Sequence, residues 1–513
     1  MDLLTELQAR YEDDTPLIEV LAADGGPPTV WTGRQIMSGA QLLAQEIRAL
    51  SAELGRPARV GLLAENSAEW IVADLALLFA GAVEIPVPTA FTAQQAAALL
   101  AEADTCLTDA PGTRRLAEWG QALPVRELAA APLVEAARET PFARTAPPAT
   151  DAVIKTIHTS GTTSAPKGVL IRRKGLEALL TSLRERIDAP AFRRYLSIVP
   201  LSLLIEQVAG VYLPLLLGGR VVFLPPGTAL VGTAADAAAR MSPLLRAARP
   251  TAMVVPPTMA ALLLARCDEE PNEDVEARYR RLFGHEDPVF VACGGAPVPA
   301  DILHRLHTYG ITVHEGYGLS ENSSVVSWNV PGQVRFGTVG RPLGHVEVRL
   351  TTDHELLVRS PSLFAGYTGT DPSSLVVDDE GWLHTGDLAE IDADGYLRIT
   401  GRRKNIVITA AGRNISPEWV EAQYRRLPFV REVVIVADGL DTARALVVID
   451  RTVDREEARD QLKEFGRQRL SEVERPTVIH LMADDDDDYS TCFTVTGRPR
   501  RDRVRALLTE EAP

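Results

Sequence analysis

The sequence is poor in lysine. Of its 53 basic residues only Lys155, Lys167, Lys174, Lys404 and Lys463 are lysine, and arginine supplies the rest. Positive charge is short overall, because 69 acidic residues leave a net charge of -16. That balance argues against a sequence-independent grip on nucleic acid, which needs a basic surface to displace counterions from phosphates. No apolar run reads as a membrane span. The best candidate, Trp70 to Pro88, is interrupted by Asp74 and Glu84 and reads as a buried helix running into a strand. The opening "MDLLTELQARYEDD" is acidic and lacks the basic start and apolar stretch of a secretion signal. The four cysteines, Cys106, Cys267, Cys293 and Cys492, show no metal-ligand spacing. Reduced thiols in the cytoplasm, with no integral membrane contact, are therefore expected.

What is present is a long chain with ample apolar content. At 513 residues and 46% apolar composition it can build a large core and two or more domains. Residues 1–125 alternate amphipathic runs such as Gly39 to Leu50 with short apolar strands at Arg59 to Glu65 and Ala82 to Pro88. That alternation predicts parallel α/β units. Val134 to Ala152 reads as a surface connector rich in Pro, Ala and Thr. "IKTIHTS", "PTAMVVPP", "DPVFVACGG" and "ITVHEGYG" read as strands feeding loops. Beyond Arg335 short strands and turns dominate, with Asp394-Gly395 as a turn between two strands. From about Arg402 a smaller α+β pattern follows: a helix near Ser416-Pro417, strands at Glu432 to Val436 and Ala445 to Ile449, and a charged helix at Arg455 to Leu470. A domain boundary is expected near Arg402 to Lys404, dividing the chain into 1–401 and 402–513. The acidic run Asp484 to Asp488 reads as a solvated loop, since like charges repel and stay hydrated.

One stretch asks for a ligand. "HTSGTTSAPKGVLI", His158 to Ile171, gathers hydroxyls, glycines and Lys167 into one loop. Glycines let backbone amides turn toward an anion, hydroxyls donate to its oxygens, and the lysine adds a compact charge, a combination suited to a polyphosphate. It is not the GxxxxGK[ST] phosphate loop, because Lys167 follows proline. Alone, the stretch could equally be a polar surface loop.

Five stretches in order resolve the matter. Together they resemble the adenylate-forming superfamily that includes acyl-CoA synthetases, peptide-synthetase adenylation domains and luciferases. "TSGTTSAPKGV" resembles its phosphate loop, with Ser164 where glycine is common. "CGGAPVP" (Cys293 to Pro299) resembles its adenine and acyl-pocket loop, and "EGYGLSEN" (Glu315 to Asn322) its YGxTE motif with Ser320 for threonine. "HTGDLAEID" (His384 to Asp392) resembles its ribose-binding turn. "GRRKNIVITAAGRNISPEWVE" (Gly401 to Glu421) resembles its hinge, in the form seen in long-chain acyl-CoA synthetases.

The resemblance implies an α/β fold: a large N-terminal domain of α/β subdomains plus a β-rich subdomain, with a small mobile C-terminal α+β domain. It implies ATP and Mg²⁺, adenylation of a small-molecule acid, and transfer to coenzyme A or to a phosphopantetheine thiol on a separate carrier protein. Thr159, Ser160, Gly161, Thr162, Thr163 and Lys167 would hold the β- and γ-phosphates. Gly295, Ala296, Pro297, Glu315, Gly316, Tyr317 and Gly318 would form the adenine site, with Tyr317 stacking on the base. Ser320 would meet the α-phosphate and Glu321 would bind the metal. Asp387 and Arg402 would take the ribose, and Lys404 would be the hinge. Gly294, Gly295 and Leu203 would border the acid; Leu203 stands where long-chain relatives often carry histidine, and it could equally be a core leucine.

The pattern breaks at "FTVTGRPRRDRV", Phe493 to Val504, where Arg498 occupies the place of a family lysine that reaches the substrate carboxylate. Arginine keeps the charge but is planar, longer and forked. Three readings stay open. Arg498 does the lysine's work; it serves a changed oxyanion or an amine acceptor; or turnover is feeble and the protein chiefly binds a nucleotide or acyl-adenylate.

Overall fold

The computed structural model describes the chain apart from residues 1, 13, 138–141, 147–148, 160–166, 232–236, 238–239, 296–297, 369–375, 404–406, 409–413, 416, 438–439, 441, 471–473, 484–485, 487, 494–498 and 511–513. For residues 11, 136, 137, 159, 167, 407, 408, 414 and 510 it describes the backbone alone.

Two large sheets carry the N-terminal part. The first has the order Val125–Glu127, Thr105–Thr108, Arg59–Leu63, Val83–Pro86, Val153–Thr159, Lys167–Arg172. Its first five strands are parallel, and the sixth returns antiparallel to the fifth so that Thr159 pairs with Lys167. The second sheet has nine strands, and six of them run parallel: Val313–Leu319, Phe290–Cys293, Ala252–Val255, Arg194–Ser197, Arg220–Phe223 and Pro16–Val20. Parallel neighbours need crossover connections and are covered on both faces, which is why "AMVV" and "FVAC" are apolar and buried throughout.

Against the first sheet packs the helix Ala68–Ala80, capped by Ser67 and closed by Gly81 at φ 70°. It is apolar almost all round, the mark of a buried helix. Asp74 and Glu84, the charges that interrupt this run in sequence, are themselves buried. The Lys155 ammonium lies between them and donates to both carboxylates, and the Tyr212 hydroxyl donates to Asp74 at 2.8 Å. Lys155 stands outside every motif, so sequence reading passed it over. The expected connector from Val134 is also corrected: the helix Ala130–Ala137 enters it, and Val134 is buried.

A four-stranded antiparallel sheet follows, in the order Glu347–Leu350, Glu355–Arg359, Leu383–Ile391, Leu397–Arg402. Its last two strands are joined through Asp394-Gly395, where Gly395 has φ 82°. The main core extends along the chain as far as Leu397. Two smaller clusters, within Ile415 to Leu481 and Val434 to Leu508, form the C-terminal domain on either face of the sheet Val430–Val436, Arg444–Ile449, Val478–Met482. Helices Pro417–Tyr424 and Arg455–Arg469 lie where the pattern placed them. Of the acidic run, Asp486 pairs with Arg455 at 3.0 Å. All four cysteines are buried and free.

Candidate active site

Parallel strands direct their carboxyl ends, and the loops that follow, to one edge of a sheet, the usual place for a ligand crevice in α/β folds. Here Thr159 ends one such strand, Gly294 and Gly295 follow another at Cys293, and Gly316 to Gly318 lie in the last part of Val313–Leu319. Gly295 has φ 84°. Of the expected residues, Ser160, Gly161, Thr162, Thr163, Ala296, Pro297, Lys404 and Arg498 lie outside the described residues.

The strand leaving the hydroxyl-rich loop is fixed by the segment at Ala365 to Thr368. Gly168 N donates to Thr368 Oγ1 at 3.2 Å, Thr368 N to the Gly168 carbonyl at 2.8 Å, and Ala365 N to the Leu170 carbonyl at 2.8 Å. The approach demands glycine: a Cβ at Gly168 would stand 2.6 Å from Thr156 Cγ2 and 2.8 Å from Thr368 Cγ2.

The same segment supplies Tyr367, whose hydroxyl donates to Glu321 Oε1 at 2.8 Å. Sequence reading missed Tyr367, which sits 46 residues from its partner. Glu321 lies in the one-turn helix Ser320–Asn322. That turn is closed by Ser323 at φ 54° and Ser324 at φ 107°, unusual values for residues with a side chain. Ser323 Oγ, donating to the Ser362 carbonyl at 2.7 Å, holds the turn in place. The described residues contain no cluster of three or more metal-ligating side chains. A single carboxylate such as Glu321 fits a hard cation whose remaining ligands would be water and phosphate oxygens, the set Mg²⁺ prefers.

Tyr317, Asp387 and Arg402 come together across 85 residues of chain. The Tyr317 hydroxyl donates to Asp387 Oδ2 at 2.5 Å, and Arg402 Nε stands 2.9 Å from Oδ1. Asp387 and Arg402 are register partners on adjacent strands. Burial pushes the Asp387 carboxyl above its ordinary value, against the pull of Tyr317 and Arg402, and burial beside Asp387 drives the Tyr317 phenol up. The turn that presents Asp387 requires glycine, since Gly386 has φ 71°. Its frame is tight: Asp387 N donates to Thr385 Oγ1 at 3.0 Å, and Thr385 Oγ1 donates to the Leu356 carbonyl at 2.7 Å.

Glu315 is buried, its Oε1 accepts from Val298 N at 3.2 Å, and burial pushes it up to about 7. A carboxyl held there offers an acceptor, or when protonated a donor, to a polar ring edge. Leu203 is 47% exposed at the start of the short helix Leu204–Glu206, so it is no core leucine. A cavity of about 130 Å³ opens beside it, lined by Asn66, Thr89, Leu201, Ser202 and Pro226 among others.

The sequence profile of the AMP-binding enzyme family matches residues 5–368. The chain belongs to the AMP-binding enzymes. Among curated relatives of this AMP-binding enzyme, the long-chain-fatty-acid–CoA ligase FadD15 of Mycobacterium bovis is 28% identical over 494 residues, covering 82% of this chain and 78% of the relative. The putative fatty-acid–CoA ligase fadD11 of Mycobacterium tuberculosis is 31% identical over 333 residues, 58% of each chain. In fold, the anthranilate CoA ligase AuaEII in complex with anthranoyl-AMP superposes with a TM-score of 0.79 at 20% identity, over 99% of this chain and 97% of that one. ATP-bound MatB from Rhodopseudomonas palustris gives 0.78 at 22% identity, over 99% of both. No helix among the described residues is long and apolar enough to cross a membrane.

Proposed function

We propose that this AMP-binding enzyme uses ATP to adenylate a carboxylic acid and passes the acyl group to a coenzyme A thiol. The observation that carries the reading is the Tyr317–Asp387–Arg402 cluster. It sets an aromatic face, a buried carboxylate and a half-free guanidinium side by side, the groups an adenosine needs.

A carboxylate oxygen of the acid attacks the α-phosphorus, the bond to the bridging oxygen of the β-phosphate breaks, and pyrophosphate leaves. The thiol sulfur then attacks the acyl carbon, AMP departs with its phosphate oxygen, and the thiol proton passes to solvent. Asp387 accepts from the ribose hydroxyls and Arg402 donates to them. Ser320 donates to the α-phosphate, and Thr159, Ser160, Gly161, Thr162, Thr163 and Lys167 hold the outer phosphates. Bound at Glu321, Mg²⁺ would supply charge against the repulsion of two anions and on the leaving group.

The acid enters past Gly294, Gly295 and Leu203, and the ligase names of the relatives favour a fatty or other bulky acid. The C-terminal domain acts as a lid that turns near Lys404, so that one orientation serves adenylation and another admits the thiol. A phosphopantetheine thiol on a separate carrier protein is the alternative acceptor. Four buried free thiols suit a reducing cytoplasm.

Acid-dependent exchange of pyrophosphate into ATP, screened over a panel of acids with and without thiol and amine acceptors, tests the reading. Exchange with a thioester product supports it. Tight ATP binding without exchange by any acid overturns it in favour of a nucleotide-binding role, and product formation only with amines moves the acceptor. The Arg498 position motivates the comparison. Arg498→Ala should suppress exchange and leave ATP binding intact, and Arg498→Lys should retain exchange if arginine does the lysine's work.

A further inference from the structure

Glu355 belongs to none of the motifs, yet it is buried at 3% exposure among groups that meet the ribose cluster. Its Oε1 accepts from Gly386 N at 3.1 Å, the amide just before Asp387. Its Oε2 accepts from Arg403 Nη1 at 2.9 Å and lies 3.2 Å from His384 Nδ1. One carboxylate thus touches both ends of the site: the turn that presents Asp387 and the residue that follows Arg402.

We propose that Glu355 is a positioning residue that braces the Asp387 turn with one oxygen and, with the other, clamps Arg403 as the stationary end of the hinge. The inference rests on the proposed adenylation and lid rotation. The strand Leu397–Arg402 is held along its length by Leu383–Ile391, up to the pair Asp387 and Arg402. Glu355 lies on the strand at the other side of Leu383–Ile391, so its grip on Arg403 reaches across the sheet. Ladder and clamp together fix the chain through Arg403. Rotation is then confined to the residues beyond it, and Asp387 and Arg402 keep the nucleotide while the lid turns. A hinge that yielded earlier would carry Arg402 away from Asp387 with each movement. An exposed arginine pair would contribute little. This carboxylate is buried, and leaving it short of a charged donor is costly.

Two substitutions separate the two roles. In Glu355→Gln the amide oxygen still accepts from Gly386 N, but Arg403 loses its anion. In Arg403→Met the clamp goes and the turn stays. Both should leave the ATP dissociation constant, measured by calorimetry, within about twofold, and both should speed hydrogen exchange in the peptide carrying Arg402 and Arg403. Both should lower kcat for thioester formation by about fivefold or more while KM for ATP holds, and the double variant should be no worse than either single one. Glu355→Ala loses both contacts and should also weaken ATP binding by about fivefold or more.

The proposal is overturned if Glu355→Gln weakens ATP binding as much as Glu355→Ala, if Arg403→Met leaves exchange of its own peptide unchanged, or if the two single effects add. Calorimetry and hydrogen exchange need no turnover. A wild type that exchanges no pyrophosphate would therefore sink the proposed function while leaving these readouts to judge Glu355.

Discussion

Asp387 is held from both sides: the Tyr317 hydroxyl donates to one carboxylate oxygen at 2.5 Å and Arg402 Nε stands 2.9 Å from the other. The same oxygens are the acceptors a ribose would use, and each has lone pairs to spare for it. Asp387→Asn places an amide against one of these donors and removes the charge. ATP binding should fall by about tenfold or more, the worth of a hydrogen bond to a charged group at roughly 1.5–3 kcal/mol. Tyr317→Phe removes a donor and keeps the ring, so the loss should be smaller. Calorimetric titration of ATP against both variants decides it, and equal, unchanged affinities would remove Asp387 from the site.

Lys155 supplies a test of the frame. Its ammonium is buried between Asp74 and Glu84, and burial, which pulls it down, is outweighed by those two carboxylates, so its proton is held more tightly than usual. Lys155→Met leaves two buried carboxyls without a cation. Unfolding free energy in denaturant should drop by about 3–5 kcal/mol, the range for breaking a buried pair. Adding Asp74→Asn and Glu84→Gln should recover much of that loss, because uncharged partners no longer need the ammonium. A triple variant as unstable as Lys155→Met would show that shape, not charge, holds the cluster.

The strands that lead into the motifs, Val153–Thr159, Phe290–Cys293 and Val313–Leu319, are legible in the sequence because their signal is local: short apolar runs that give way to glycines and hydroxyls. The element pattern beyond Arg402 is legible for a similar reason, since Pro417 opens a helix and β-branched runs mark the strands. What escapes is the pairing of distant polar groups. Lys155 lies 71 and 81 residues from its partners, Glu355 lies 48 residues from Arg403, and Tyr367 lies 46 from Glu321. No spacing rule joins such residues; sheet order does. Leu203 is singled out only through the family resemblance, because by itself an apolar side chain in an apolar stretch reads equally as core; its exposure removes the core reading.

Glu206 predicts a pH dependence of stability. It is wholly buried, and its two oxygens accept from Ser197 Oγ and the Tyr195 hydroxyl, each at 2.6 Å. Burial raises it from 4.5 to about 8, against the pull of those hydroxyls. The folded chain therefore keeps a proton that the unfolded chain gives up across that window. Its contribution is full below the unfolded value and is lost as pH rises toward the folded one, at up to about 1.4 kcal/mol per pH unit. Glu206→Gln is neutral at every pH and should flatten this slope. Denaturant midpoints of the two proteins, measured from mildly acidic to mildly alkaline buffer, check it; parallel curves would mean that Glu206 is ionised in the fold.

Variants at Glu321 and Tyr367 test the proposed metal site apart from folding. Glu321→Gln keeps an oxygen for the Tyr367 hydroxyl but loses the charge that a divalent cation needs. The Mg²⁺ concentration for half-maximal pyrophosphate exchange should rise by about tenfold or more, the scale of losing even an outer-sphere partner of a metal site. Thermal stability should hold, because the amide oxygen still accepts from the Tyr367 hydroxyl. Tyr367→Phe frees one carboxylate oxygen without altering its charge, so its Mg²⁺ dependence should stay near that of the parent protein. The contrast matters more than either value. If both variants shifted alike, the hydroxyl contact would be setting the position of Glu321, and the carboxylate charge would have no separate part in holding the cation.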